Sequence, residues 1–161
     1  MEKQKPRVYI AMPCYDTMKV ETCVSLLNTY AVLAKSGVEC IFKSVKSSLV
    51  THARNLLTTG FLASGYDYML FIDSDVEFSH EAVLRMLVPE KDIVVTPYRL
   101  KENPLKFRYP VEHLNPNNIK ILPFDLVELK SAPAGLMLIK KIVFEKLMDK
   151  HPELKIEFDD D

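Results

Sequence analysis

The sequence predicts an α/β protein with a doubly wound, mostly parallel β-sheet and a small mixed sheet region toward the C-terminus. Strand and helix patterns alternate three times before a fourth strand, an order typical of parallel sheets with right-handed crossovers. The run at 69–72 is continuously apolar and stops at Asp73, as in a strand that is covered on both faces. At 161 residues, 48% of them hydrophobic, the chain is long enough for one domain, 1–161, with its own core.

Proline, glycine and serine divide the first half of the chain into short elements. Pro13 stops the first strand, Gly37 follows the first helix, Ser47 or Ser48 caps the second helix, and Ser79 caps the third. The predicted strands are 7–12, 39–44, 69–72 and 92–96. Helical spacing predicts that the inward residues are Val20, Cys23, Val24, Leu27, Ala31 and Ala34 in the first helix, and Leu49, Ala53, Leu56 and Leu57 in the second.

The second half of the chain is less regular. Residues 98–123 are rich in proline and asparagine and predict a long ordered loop with short strands, and loops of this length are usually functional. The elements predicted after it are strands at 124–130 and 136–139, a helix at 142–150 and a last strand at 154–158.

Composition argues against several classes of function. A net charge of −1 gives no overall attraction to nucleic acid or anionic membrane, and no segment reaches the roughly 20 apolar residues of a spanning helix. The four glycines form neither a GxGxxG motif nor a P-loop. Cys14, Cys23 and Cys40 have no metal-site spacing and are odd in number, which indicates thiols in a reducing compartment and predicts a cytoplasmic protein.

The most informative chemical signal is the pair Asp73 and Asp75. If the strand persisted to residue 75, both carboxylates would share a side at the sheet edge where open α/β sheets bind ligands. Two like charges this close repel unless a cation or a shared proton relieves them, so the pair predicts a divalent metal site or a proton-sharing pair. Mg²⁺ and Mn²⁺ are commonly held by carboxylates together with substrate phosphates. The alternative is an acidic loop that caps the next helix.

Four segments, in their order along the chain, resemble the GT-A glycosyltransferases of the family-2 type. The family pattern "ARN … flDxD" is matched at 53–55 and 68–75, its first strand and nucleotide loop at 12–16, and its "G…liRr.vfe.l" segment at 133–147. The resemblance spans 8–158, and the compact form is similar to glycosyltransferases of phages and large DNA viruses. It implies a GT-A fold with a Rossmann-like nucleotide-binding half, a nucleoside-diphosphate sugar donor (UDP-sugar favoured) and Mn²⁺ or Mg²⁺. It also implies a glycan or glycoprotein acceptor, and the host cytoplasm as the location if the protein is viral.

The resemblance also implies roles for individual residues. Asp75 would ligate the metal that bridges the diphosphate, with Asp73 facing the ribose or a water on the metal. Ala134 and Gly135 would lie against the donor sugar, because a missing side chain allows close backbone approach. The residues implied to bind the nucleotide are Pro13, Tyr15, Asp16, Arg54, Asp73 and Ser74. Judged by position alone, Arg54 could equally be a solvated helix charge, and Gly135 a simple turn residue.

The sequence departs from the family pattern in two places. Many members have an acidic residue after the second strand that reads the uracil edge, and 42–48 contains none. Inverting members carry their general base in an acidic motif that would begin at Asp159, Asp160 and Asp161. Either one of these aspartates is the base, or the acceptor-binding part lies beyond residue 161; a terminal acidic run is otherwise a frayed end.

Two other classes of function fit parts of the sequence. In a haloacid-dehalogenase-type phosphatase, Asp73 would be the nucleophile and Asp75 the acid/base, but that family carries its DxD motif on the first strand rather than the third. A non-catalytic nucleotide-sugar-binding module is expected if the base is absent. His113, in the long loop, is a further candidate site residue.

Overall fold

The computed structural model describes residues 5–98 and 111–154, which contain a mixed α/β fold around a five-stranded sheet. The strands are β1 (Arg7–Cys14), β2 (Glu39–Lys46), β3 (Tyr68–Ile72), β4 (Ile93–Val95), β5 (Glu112–His113), β6 (Ile121–Leu122), β7 (Leu126–Val127), β8 (Leu129–Ser131) and β9 (Leu136–Lys140). The helices are α1 (Val20–Lys35), α2 (Val50–Ser64), α3 (His80–Leu87) and α4 (Lys141–Lys150), with 3₁₀ turns at Pro123–Asp125 and Pro152–Leu154. No helix in these two ranges is both long and apolar enough to cross a membrane.

The main sheet has the strand order β2-β1-β3-β9-β4. β1 pairs in parallel with β2 and β3, whereas β9 is antiparallel to both β3 and β4. Four strands therefore run one way and β9 runs the other. The α/β class is confirmed, and the mixed sheet is compatible with a Rossmann-like fold.

The position of β9 corrects one prediction. The sequence predicted a small mixed sheet region toward the C-terminus, but the strand predicted at 136–139 lies inside the main sheet. Its residues Leu136 and Leu138 are 1% and 2% exposed. The apolar sequence of β9 is therefore buried, as is typical of a central strand. The chain pattern cannot distinguish insertion between β3 and β4 from formation of a separate sheet.

The small sheets are two separate antiparallel pairs, β5 with β8 and β6 with β7. The strand predicted at 124–130 is interrupted, because Phe124 and Asp125 have φ of 66° and 58° and cannot continue an extended chain. A strand was also predicted at 154–158. Its first residue, Leu154, is the last residue of a 3₁₀ turn, and its other residues lie outside the described ranges.

Helices cover both faces of the main sheet. α1 and α3 pack on the face that carries Ile10 and Leu70, and α2 and α4 pack on the opposite face. At the centre of the second layer, the ring of Phe61 meets Tyr9 and Phe144 edge-on, with centroids 5.7 and 5.6 Å apart. Both faces of the sheet are therefore buried.

The buried face of α1 differs from the predicted one. Val20, Val24 and Leu27 are 74%, 52% and 64% exposed, Ala31 and Ala34 are also exposed, and Cys23 is half-buried. The buried residues are Thr22, Ser25, Leu26, Thr29 and Leu33. Two of these polar side chains are hydrogen-bonded: Thr29 Oγ1 donates to the Ser25 carbonyl at 2.8 Å, and Ser25 Oγ accepts from the Phe78 N–H at 3.1 Å. Such bonds allow short polar residues to be buried at little cost.

The predicted features of α2 and α3 are confirmed in part. In α2, Ala53 and Leu57 are buried as predicted, whereas Leu49 and Leu56 are exposed. Neither serine caps α2: its N-cap is Leu49, and Ser47 Oγ accepts the Leu49 N–H in the preceding loop. Ser79 does cap α3, accepting the Glu81 N–H at 3.2 Å.

Candidate ligand site at the carboxyl edge of the sheet

One edge of the main sheet brings together most of the residues that the sequence singled out. The carboxyl ends of β1, β2, β3 and β4 lie there, and so does the amino end of β9, because that strand is antiparallel. Open α/β sheets bind ligands at this edge. We call this group of chain ends the carboxyl-edge site.

The acidic pair of this site lies in a turn rather than on a strand. β3 ends at Ile72, and the Val76 N–H donates to the Asp73 carbonyl at 3.2 Å, which closes the turn. The strand therefore does not persist to Asp75, and the extended geometry that would align the two carboxylates is not present. Instead, the Asp73 N–H donates to the Gly135 carbonyl at 2.9 Å, and the Ser74 carbonyl accepts the Lys19 N–H at 2.9 Å.

Arg54 supplies a positive charge beside the first carboxylate. It projects from α2, and its Nη2 lies 2.7 Å from Asp73 Oδ1. Its guanidinium carbon is 5.0 Å from the centroid of the Phe71 ring, within the range of cation–π attraction. The two charged side chains are 24% and 31% exposed, so the pair is only partly screened by water. Arg54 is therefore held in the site and is not a freely solvated helix charge.

The acidic turn would suit a divalent cation only if oxygen ligands from another molecule completed its coordination. Asp73 and Asp75 are the acidic side chains of the turn, and the described residues contain no group of three or more histidine, cysteine or acidic side chains placed for a metal. Two carboxylates are few for a metal held by protein alone. A cation there would need further ligands, as where Mg²⁺ or Mn²⁺ is completed by substrate phosphates and water.

The β1 and β2 ends contribute a second charged pair. Asp16 Oδ1 lies 2.6 Å from Lys46 Nζ, and the two side chains are 62% and 69% exposed. Pro13 is buried within β1, which continues to Cys14, so the prediction that Pro13 stops this strand is wrong. Tyr15, in the loop after the strand, is 72% exposed. Lys46 was not predicted as a site residue, although its place at the end of the second parallel strand was the available signal.

Tyr98 is the other residue that sequence reasoning missed. It lies three positions after β4, and its ring lies on Gly135: a Cβ at this glycine would be 2.5 Å from the phenol oxygen and 2.7 Å from Cε1 and Cζ. Burial and then the Asp73 carboxylate raise the pKa of Tyr98, opposed by a backbone hydrogen bond from Gly135 and by Arg54. Tyr98 therefore lies within electrostatic reach of both members of the Arg54–Asp73 pair.

The remaining predicted residues are distributed as follows. Ala134 is half-buried and Gly135 is buried at the start of β9. Asp159, Asp160 and Asp161 lie outside the described residues, so the predicted base stays a prediction. His113 lies on β5 with its Nδ1 buried and without a hydrogen-bond partner in the described part of the chain.

A cavity of about 880 Å³ is lined by β4 and by residues of the two small sheets. Pro97, which precedes Tyr98, lines it, and so does Ala132, from the loop that carries Ala134 and Gly135. Val95 and Met137 form part of its wall on the sheet side. Arg54, Asp73 and Asp75 do not line this cavity, which comes nearest to the carboxyl-edge site in sequence at Pro97 and Ala132.

The fold and the site define a mixed α/β protein with a charged, ligand-accessible sheet edge, and comparison with known proteins agrees on the fold. No protein-family model and no curated protein matches the chain. Among solved structures, A197 from STIV matches 87% of this chain and 68% of its own, with 22% identity and a TM-score of 0.55. A 4-diphosphocytidyl-2C-methyl-D-erythritolsynthase from Anaerococcus prevotii DSM 20548 matches 96% of this chain and 80% of its own, with 12% identity and a TM-score of 0.46. The similarity to A197 supports the fold alone. The TM-score of the second structure is too low to support an argument.

Proposed function

We propose that the protein is a divalent-metal-dependent glycosyltransferase that uses a nucleoside-diphosphate sugar, with UDP-sugar favoured, and transfers the sugar to an acceptor hydroxyl. The observation that supports this most directly is the Arg54–Asp73 pair, 2.7 Å apart, at the carboxyl edge of the sheet and two residues before Asp75. A fixed cation beside a carboxylate pair is suited to a ligand that carries both phosphates and a metal.

Arg54 would bind the diphosphate. A guanidinium has five N–H donors in a planar fork, so it can hold Asp73 and still donate to phosphate oxygens. Its packing on Phe71 and its limited exposure fix its direction before the ligand arrives. A preorganised cation of this kind stabilises the charge that develops on the departing diphosphate.

Asp75 and Asp73 would hold Mn²⁺ or Mg²⁺ together with the phosphates. When bound, the cation supplies positive charge that offsets the charge on the leaving group. The hydrogen bond from the Asp73 N–H to the Gly135 carbonyl fixes the acidic turn to the start of β9. This bond would keep the two carboxylates close to Ala134 and Gly135, the residues proposed to lie against the donor sugar.

The other residues of the edge would surround the nucleoside and the acceptor. Pro13, Tyr15, Asp16 and Ser74 are proposed to line the nucleoside side. Since the Asp16–Lys46 ion pair is exposed, it contributes little stability and can rearrange around a base. A glycan or glycoprotein acceptor is proposed to approach along the cavity beside β4, and the general base is proposed among Asp159, Asp160 and Asp161.

A thermal-shift panel of UDP-, GDP- and dTDP-sugars, each with and without Mn²⁺, tests this proposal. A ligand at 100 times its Kd stabilises the folded state by about 2.7 kcal/mol, which corresponds to a rise in Tm of roughly 5–10 °C for a chain of this size. We expect such a shift for one nucleotide class, and only with Mn²⁺.

The same panel separates the competing functions. No shift with any nucleotide sugar, combined with hydrolysis of a generic phosphomonoester, would replace the proposal by a phosphatase. A Mn²⁺-dependent shift with neither transfer nor slow hydrolysis of the donor would replace it by a binding module.

A further inference from the structure

Gly135 is a glycine for reasons of space. Gly135 does not have a positive φ, so its backbone conformation does not by itself require glycine. A Cβ at this position would instead lie 2.5–2.7 Å from three atoms of the Tyr98 ring, and real Cβ atoms do not approach so closely. The absence of a side chain at 135 therefore makes room for the phenol of Tyr98.

The phenol oxygen lies against the backbone of Gly135, the residue whose carbonyl accepts the Asp73 N–H at 2.9 Å. Burial and then Asp73 raise the pKa of Tyr98, and Arg54 and Asp75 also act on it, so the phenol is close to the charged residues of the site. A neutral phenol has a proton to donate. Tyr98 is also only partly buried, so a molecule bound at the edge can reach it.

We propose that Tyr98 is a ligand-contacting residue of the carboxyl-edge site, and that its hydroxyl donates a hydrogen bond to a phosphate oxygen of the nucleotide held by Arg54. Gly135 is required because its bare backbone is the surface on which the phenol lies. The inference rests on the proposed function, since it assumes a nucleoside diphosphate at Arg54 and Asp73. It adds one determinant of affinity that the sequence motifs do not contain.

Calorimetric titration with UDP in the presence of Mn²⁺ tests the role of the hydroxyl. Tyr98→Phe keeps the ring and removes one donor, and we expect a Kd about 5- to 30-fold higher, the effect of one hydrogen bond to a charged group in a partly solvated site. The matched control is Tyr66→Phe. It also removes a phenol hydrogen bond, to Glu39 Oε1 at 3.0 Å, but at the opposite edge of the sheet. Its Kd for UDP is expected to equal that of the wild type.

Melting curves without ligand distinguish binding from structure. Kd compares two folded states, so a purely structural role of Tyr98 would lower Tm and leave Kd unchanged. A double-mutant cycle then tests Gly135. Gly135→Ala is expected to weaken UDP binding in the wild type by displacing the ring, and to have little further effect in a Tyr98→Ala background.

The outcomes are distinguishable. If the wild type binds UDP with Mn²⁺ and Tyr98→Phe binds equally well, the inference is overturned and the proposed function stands. Additive effects in the cycle would overturn the role assigned to Gly135. If the wild type itself binds neither UDP nor any other nucleoside diphosphate, the proposed function is overturned, and this inference with it.

Discussion

Replacement of Arg54 by alanine tests the electrostatics of the site. This guanidinium is bonded to Asp73 at 2.7 Å and lies against the Phe71 ring. If it also holds the diphosphate, Arg54→Ala removes a charge-assisted hydrogen bond to the ligand while leaving the acidic turn in place.

The expected loss of UDP affinity in Arg54→Ala depends on how far the Arg54–Asp73 pair is buried. Hydrogen bonds to charged groups contribute about 1.5–3 kcal/mol, which corresponds to roughly 10- to 150-fold in Kd. The pair is partly exposed, at 24% and 31%, so solvent screening places the expected effect in the lower half of that range. Arg54→Lys keeps the charge but loses the planar fork, and we expect it to recover only part of the affinity.

Calorimetry with UDP and Mn²⁺ measures this effect, and Arg85→Ala is the matched control. Arg85 is an exposed arginine in the last turn of α3, away from the carboxyl edge, and its removal should leave Kd unchanged. Titration of Arg54→Ala with Mn²⁺ alone, without nucleotide, should show no loss of affinity for the cation. Without the guanidinium, the negative potential at Asp73 and Asp75 is stronger, so the cation should bind as tightly as before or more tightly. Unchanged UDP affinity in Arg54→Ala would refute the reasoning.

Three further predictions concern the fold. Phe61→Ala empties the aromatic cluster of Tyr9, Phe61 and Phe144 and should cost about 3–5 kcal/mol in chemical denaturation, because Phe61 is 0% exposed. Gly65 ends α2 at φ 76°, and a Cβ at this position would meet no atom within 4 Å. Gly65→Ala should therefore cost about 1–2 kcal/mol for purely conformational reasons, and Gly65→Asn less. Burial alone would raise the pKa of Asp67, but hydrogen bonds from the Arg7 side chain and backbone N–H hold it below its ordinary 3.8. The folded state therefore binds this proton less tightly than the unfolded state, and the resulting stabilisation is present above pH 3.8 and is lost as pH falls below it. Asp67→Asn should show a shallower loss of stability under acid, measured by denaturant titrations at several pH values.

Each of these predictions can fail in a defined way. A loss below about 1 kcal/mol for Phe61→Ala would mean that the aromatic cluster does not exist as described. Equal stabilities of the alanine and asparagine variants at Gly65 would exclude a left-handed helix end. An unchanged acid profile in Asp67→Asn would show that the contact with Arg7 is not formed in solution.

The sequence identified the strands of the sheet better than the faces of its helices. In α1 the apolar stripe formed by Val20, Val24 and Leu27 predicted the buried side, but this stripe is exposed. The buried side carries Ser25 and Thr29, whose hydroxyls are paired with backbone groups. Counting apolar residues cannot recognise a polar residue whose hydrogen bonds are completed by its own helix or a neighbouring loop.

The grouping of Arg54, Asp73 and Gly135 was predicted from the order of the sequence motifs. Arg54, Asp73 and Gly135 meet because α2, β3 and β9 end or begin at one edge, and the motif order had placed them in the same site. Lys46 and Tyr98 were missed because each is a single residue at or after a strand end, with no motif around it. Their contacts depend on the partners Asp16 and Gly135, which only the folded chain brings near.

The central claim is that Asp75 makes nucleotide binding depend on a divalent metal, and calorimetry of Asp75→Ala tests it most directly. UDP is titrated into the wild type, into Asp75→Ala and into Asp149→Ala, an exposed aspartate on α4 that serves as the control, each with and without Mn²⁺. The account predicts that Mn²⁺ strengthens UDP binding to the wild type and to Asp149→Ala but has no effect on Asp75→Ala. Unchanged UDP and Mn²⁺ affinities in Asp75→Ala would contradict it.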